Sequence, residues 1–220
     1  MKTFRFFVFP AFFAILLMFT SCTDFFSNSM APWAARDPDR LVPAVTTGNL
    51  DELMALTENS PDMSLALLKR LEKAASGASG ESRQQFQEAA LEVSVNAAGL
   101  GQAILGAASD LSAIDSANAQ DLFIDAIDSM KNLDASAELL FDIIDDDFEM
   151  DAADPDNLAM AAVILLAGEA KKSPDTSDYI TFFPPSPSTP EVNRALQMAD
   201  VAKDGVSETF KEILTALNLI

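Results

Sequence analysis

Histidine is absent from this 220-residue chain. Its absence excludes histidine-based triads, cysteine–histidine nucleophiles and histidine-ligated zinc. The only cysteine is Cys22, so the chain has no internal disulfide, and a secreted fold built from it must rest on its core. Trp33 and Tyr179 are the only tryptophan and tyrosine. Carboxylates remain, but paired acids that cleave glycosides work beside sugar-stacking aromatics. The sequence therefore reads as non-enzymatic. Basic residues are scarce too: 14 Lys and Arg face 34 Asp and Glu, a net charge of −20. Such a surface makes nucleic acid and anionic membranes poor partners.

What is present begins at the N-terminus. Lys2 and Arg5 lead into an apolar run from Phe6 to Phe19, broken only by Pro10, and the run stops at Thr20-Ser21-Cys22. A positive start, an apolar core and small residues before a cut are the features of a secretory signal. A cysteine directly after Thr20-Ser21 resembles the lipobox of bacterial lipoprotein precursors, with Phe19 in place of the usual leucine, as in the looser lipoboxes of spirochaetes. The resemblance covers the first 22 residues. It implies cleavage before Cys22, acylation of Cys22 with palmitate-type chains, and a lipid anchor in the bacterial cell envelope. The alternatives are an ordinary secretory signal or a membrane anchor, although the run is shorter than the about 20 residues a spanning helix needs. Because Thr23 follows the cysteine and Asp24 comes one later, inner and outer membrane, periplasmic and surface side all stay open. Cleavage would remove Lys2 and Arg5 and no acid, moving the net charge from −20 to −22.

This divides the chain into a signal peptide at 1–21, a lipidated cysteine and tether at 22–48, and a helical domain at 49–220. Phe25, Phe26 and Trp33 either rest near the lipid interface or belong to a loose tether. In the domain Ala, Leu, Glu, Gln, Met and Lys dominate and strand-type alternation is lacking, so the periodic segments read as helices. Ser60-Pro61-Asp62, Asp154-Pro155-Asp156 and Thr189-Pro190-Glu191 repeat one punctuation. Each offers a capping side chain, a proline whose missing N–H costs nothing at the first turn, and an acid favoured by the helix dipole. Asn49 with Glu52, and Ser82 with Gln85, fit a capping box.

These signals predict helices over 49–58, 61–76, 82–109, 117–132, 135–147, 155–171 and 190–218. Phe86, Ala90, Val93, Ala97, Leu100 and Ile104 form one apolar stripe; Leu122, Phe123, Ala126, Ile127 and Met130 form another. Val192, Leu196, Ala199, Val206, Phe210, Ile213 and Leu217 mark the last helix as a long packing strut. Leu158–Ala167, apolar almost all round, reads as a buried central helix. The expected fold is all-α, a single antiparallel bundle or short α-solenoid of about seven helices. This arrangement is distantly similar to helical-repeat lipoproteins such as the T-components associated with TRAP transporters, in architecture only; the Trp, Leu-Gly and Tyr landmarks of tetratricopeptide repeats are missing. Gly99, Gly101 and Gly106 lie in a helical pattern with no preceding strand and no Lys-Ser/Thr, so they indicate close helix packing, or a groove for an apolar ligand, rather than a phosphate loop.

Two segments outside this pattern carry chemistry. Counting from Asp145, acids at Asp145, Asp147, Glu149, Asp151 and Asp156 take loop positions 1, 3, 5, 7 and 12 of an EF-hand, a weak Ca²⁺ candidate. Met150 stands where that loop needs glycine, and a solvated acidic connector is the simpler reading. The second segment, 174–190, is rich in proline and carries Tyr179, Phe182 and Phe183. It is a strap across the domain, or a partner-contact surface made by those three rings. The leading functional expectation is a membrane-anchored protein-binding or accessory scaffold with an envelope protein partner. The alternatives are a carrier of a small apolar ligand between helices and a structural or surface-antigen lipoprotein. If the rings form a contact surface, Phe182→Ser with Phe183→Ser lowers partner recovery at an unchanged melting temperature; a large loss of thermal stability identifies a strap instead.

Overall fold

A computed structural model describes residues 37–100, 124, 125, 127–173, 188–207 and 211. The described residues are all-α, with seven α-helices and one 3₁₀ turn given end to end, further helical residues at 100, 124, 125, 127–129 and 211, and no strand. In chain order the helices are α1 (Pro38–Leu41), α2 (Leu50–Thr57), α3 (Pro61–Ser76), α4 (Glu81–Ala98), α5 (Leu133–Ile143), α6 (Pro155–Lys172) and α7 (Pro190–Ala202), with the 3₁₀ turn at Met150–Ala152.

The three proline starts fold as their chemistry dictates. Ser60 Oγ accepts from Met63 N–H at 3.4 Å, Asp154 Oδ1 from Asn157 N–H at 3.0 Å, and Thr189 Oγ1 from Val192 N–H at 3.2 Å. Each is the N-cap of a helix whose first residue is proline. The two capping boxes do not form. Asn49 turns back into the preceding loop, accepting from Thr46 N–H at 2.8 Å and donating to Ala44 O at 3.0 Å. Local loop bonds thus compete for the side chain that would cap α2. Gly80, at φ 57°, takes the cap position of α4 and leaves Ser82 inside the first turn.

Two expected helices are shorter than their periodicity. α4 ends at Ala98 rather than 109 because Gly99 adopts a left-handed conformation (φ 79°) and its N–H closes onto Asn96 O at 3.2 Å. Glycine reaches this conformation without the Cβ clash that other residues meet, and it commonly stops helices there. α7 ends at Ala202 instead of running to 218. The chain then turns through Lys203–Val206, with Gly205 and Val206 N–H both on Ala202 O at 2.9 and 3.0 Å. This turn docks on the start of α6. Ser207 N–H donates to Asp156 Oδ1 at 2.8 Å, and a Cβ on Gly205 would stand 2.7 Å from Pro155 Cγ. The stripe residues Ile104, Leu122, Phe123, Ala126, Phe210, Ile213 and Leu217 lie outside the described residues.

The compact unit runs from Pro38 to Ile220. It therefore takes in the end of the expected tether. α1 packs on α3, Val42 is buried, Lys69 pairs with Asp39 at 2.9 Å, and Arg70 donates to Asp39 O at 2.7 Å. The Gly77–Gly80 turn sends α4 back along α3, which buries Leu67, Leu68 and Leu71 against it.

At the centre lies α6, packed by α4, α5 and α7. From Leu158 to Ala170 it is buried at every position except the half-buried Met160. It is thus a core helix without a solvent face, as its uniformly apolar sequence requires. Its neighbours come close because its residues are small: a Cβ on Gly168 would lie 2.6 Å from the Ala137 Cβ of α5. Gly168→Val should destabilise the fold by about 1–3 kcal/mol through overpacking. Gly77→Ala, at a right-handed glycine with nothing nearer than 3.5 Å, should stay close to wild type. Urea denaturation of the two variants checks the difference.

Candidate functional site

The chemistry of the described domain concentrates where α5 gives way to α6. Ile144, Phe148 and Ala153 of this connector are buried and fix its path, while the acids between them reach the surface or an adjacent helix. Apolar residues anchor the backbone and polar ones select its neighbours.

Asp145 is the point of convergence. Its Oδ2 pairs with Arg83, and its Oδ1 accepts from Gln87 Nε2 at 3.1 Å and from Asp147 N–H at 3.2 Å. Gln87, itself buried, also donates to Ile143 O at 2.9 Å, satisfying a carbonyl at the end of α5. One turn of α4 thus supplies Arg83 and Gln87 four residues apart on one face. Gln84 beside them exchanges two bonds with the Glu149 backbone: its Nε2 donates to the carbonyl at 3.2 Å and its Oε1 accepts from the N–H at 3.1 Å. From the opposite side Arg194 of α7 donates to Asp145 O at 2.6 Å and pairs with Asp146. The connector is held to both helices by charge-assisted and backbone bonds.

This geometry separates the acids proposed for Ca²⁺. Asp145 faces Arg83 and Gln87, Asp156 accepts from Ser207, and Asp147, Glu149 and Asp151 are exposed. Among the described residues, no three metal-ligating side chains gather closely enough to hold an ion. Cys22, Tyr179, Phe182 and Phe183 lie outside the described residues, as do Gly101 and Gly106.

Three open depressions surround the connector. One of about 690 Å³ lies between it and α7, lined by Phe148, Met150, Arg194 and the exposed Val201. Another, of about 530 Å³, lies against the start of α4, lined by Gly80, Arg83, Gln87 and Asp147. The third, of about 510 Å³, lies between α2, α4 and the start of α6, and shares Ala152 with the first. Arg83 and Arg194 are the only basic residues lining any of the three, and both are paired with connector acids.

A second polar node joins α6 to α7. Glu169, nearly buried, accepts from Lys172 Nζ at 2.6 Å and from the Thr189 hydroxyl at 2.9 Å. The Glu169 hydrogen bond holds the Lys172 ammonium above its ordinary pKa, working against partial burial and aided by Glu169, Glu191 and Glu138 charge. Across the domain, Lys131 and Asn132 hydrogen-bond the Asp62 carboxylate and lower its pKa.

No protein-family model, curated protein or solved structure matches this chain. The partners of the connector acids escaped the sequence reading, which had only local order to work with: Arg83 and Arg194 stand far from Asp145 along the chain. One signal was available. Gln87 stands on α4 one turn before the apolar Ala90 and Leu91, and a polar side chain on a covered face must meet polar groups.

Asp145→Ala would strip Gln87 and Arg83 of an acceptor, and Arg83 Nε is already buried without a partner. The variant should lose about 1–3 kcal/mol, the cost of leaving such groups unsatisfied. Asp145→Asn, which keeps an acceptor, should lose less; equal losses in chemical denaturation would contradict the assignment.

Proposed function

We propose that this chain is a bacterial envelope lipoprotein, held to a membrane by acyl chains on Cys22, whose non-enzymatic helical domain binds an envelope protein as an accessory scaffold. The observation that carries the binding half is the connector: an exposed acidic loop held rigidly by Arg83, Gln84, Gln87 and Arg194 between open depressions. Rigid presentation lowers the entropy lost on binding a partner. The depressions are open and rimmed by carboxylates, which favours a polar macromolecular partner over an enclosed apolar ligand. Among the described residues no helix is long and apolar enough to cross a membrane, and the anchoring half rests on the apolar run and Thr20-Ser21-Cys22.

In cells fed a labelled fatty acid, the wild-type chain should take up label and partition into detergent, whereas Cys22→Ser should do neither. Label retained by Cys22→Ser would overturn the anchor. In-cell crosslinking of the tagged wild-type chain should return one envelope protein in near-stoichiometric amount; a folded, abundant protein that returns none would overturn the scaffold.

A further inference from the structure

The depression between α2, α4 and the start of α6 combines two features that together describe an occupant. Leu50 and Met54 of α2 contribute apolar floor. Around it stand Asp51 of α2, Glu88 and Glu92 of α4, and Asp154 at the cap of α6, and no lysine or arginine lines it. Among the described residues none of the four acids forms an ion pair. Among the described residues their only side-chain bonds are the Asp154 cap to Asn157 and a long 3.4 Å contact from Gln84 to Glu88.

Asp51 and Asp154 stand at helix starts, where the dipole favours them, while Glu88 and Glu92 lie along α4 with no ion-pair partner among the described residues. Like charges around one concavity repel, and a cation placed among them relieves that repulsion. A bare metal ion is a poor match, because the described acids do not converge on a point. Lysine and arginine side chains match both features. Their methylene stems lie on apolar surface while their charged heads reach outward to the rim. Resting on the reading of the domain as a partner-binding scaffold, we propose that this groove receives a Lys/Arg-bearing segment of the partner protein. The groove recognises charge carried on an apolar stem, and the scarcity of bases on this chain keeps its own surface from competing.

The experiment uses the full-length chain in intact cells, with a photoreactive residue replacing the exposed Gln85 at the groove wall. The expected result is a crosslink to a Lys/Arg-bearing segment of an envelope protein. Glu88→Lys with Glu92→Lys should weaken it by about tenfold, the scale expected when attractive interfacial charges become repulsive. Glu138→Lys with Asp142→Lys, an equal charge change at the same spacing on the exposed face of α5, should leave it within about twofold. Equal loss in both double variants would assign the effect to bulk charge and overturn the groove. So would a crosslink to an uncharged segment or to a second copy of this chain, or occupation by added spermidine with no protein crosslinked. A partner recovered undiminished by Glu88→Lys with Glu92→Lys overturns the groove and leaves the scaffold standing, whereas no partner from the wild-type chain removes both. If the lysine variant does not fold by circular dichroism, Glu88→Gln with Glu92→Gln replaces it, and an unchanged crosslink there overturns the proposal.

Discussion

Everything in the described domain depends on burying a helix that has no polar face. α6 can exist in water only if other helices cover all of its sides, and α4, α5 and α7 do so. Each large side chain brought fully out of water, such as Leu158, Ile164 and Leu165, contributes about 1.5–3 kcal/mol. Alanine and glycine between them keep the helix thin enough for close approach, and beside Ala137 there is no room for a Cβ at Gly168. The core gains area through proximity rather than bulk.

A fully covered helix has one weakness, since its ends must be reached by chain that also belongs to the surface. Both ends of α6 carry the polar chemistry of the domain. At its start the acidic connector is held by Arg83, Gln87 and Arg194, and Asp156 takes up the turn that follows α7. At its finish Glu169 joins Lys172 to the Thr189 cap. Most of these bonds are charge-assisted, and those of Asp145 and Glu169 are partly shielded from solvent, the setting in which such contacts specify one arrangement over others. The same requirement places the connector carboxylates beside the depressions against α7 and against the start of α4.

The all-α class, the central helix and the three proline-led starts were legible because each depends on residues next to one another in the chain. A capping side chain, a proline and an acid carry their own geometry, and an apolar run shows its burial by composition. The helix ends were less legible. Apolar spacing continues across Gly99 and across Asp204-Gly205, yet the left-handed glycine and the docked turn interrupt the helices there. The acidic segment was visible as a cluster, but its meaning was not. Local counting aligned Asp145 and Asp156 with metal-loop positions, while the fold directs one to Arg83 and the other to Ser207. Which carboxylate is committed within the domain depends on contacts distant in sequence.

The bond between Thr189 and Glu169 has a consequence for how α6 and α7 are aligned. It ties together the points where the backbone leaves α6 and re-enters α7, so the ends of the intervening stretch are fixed from the core side. A one-residue slip of α7 along α6 would carry Thr189 away from Glu169 and leave a nearly buried carboxylate one partner short. The bond is therefore a register pin, holding the two helices to one alignment from their ends.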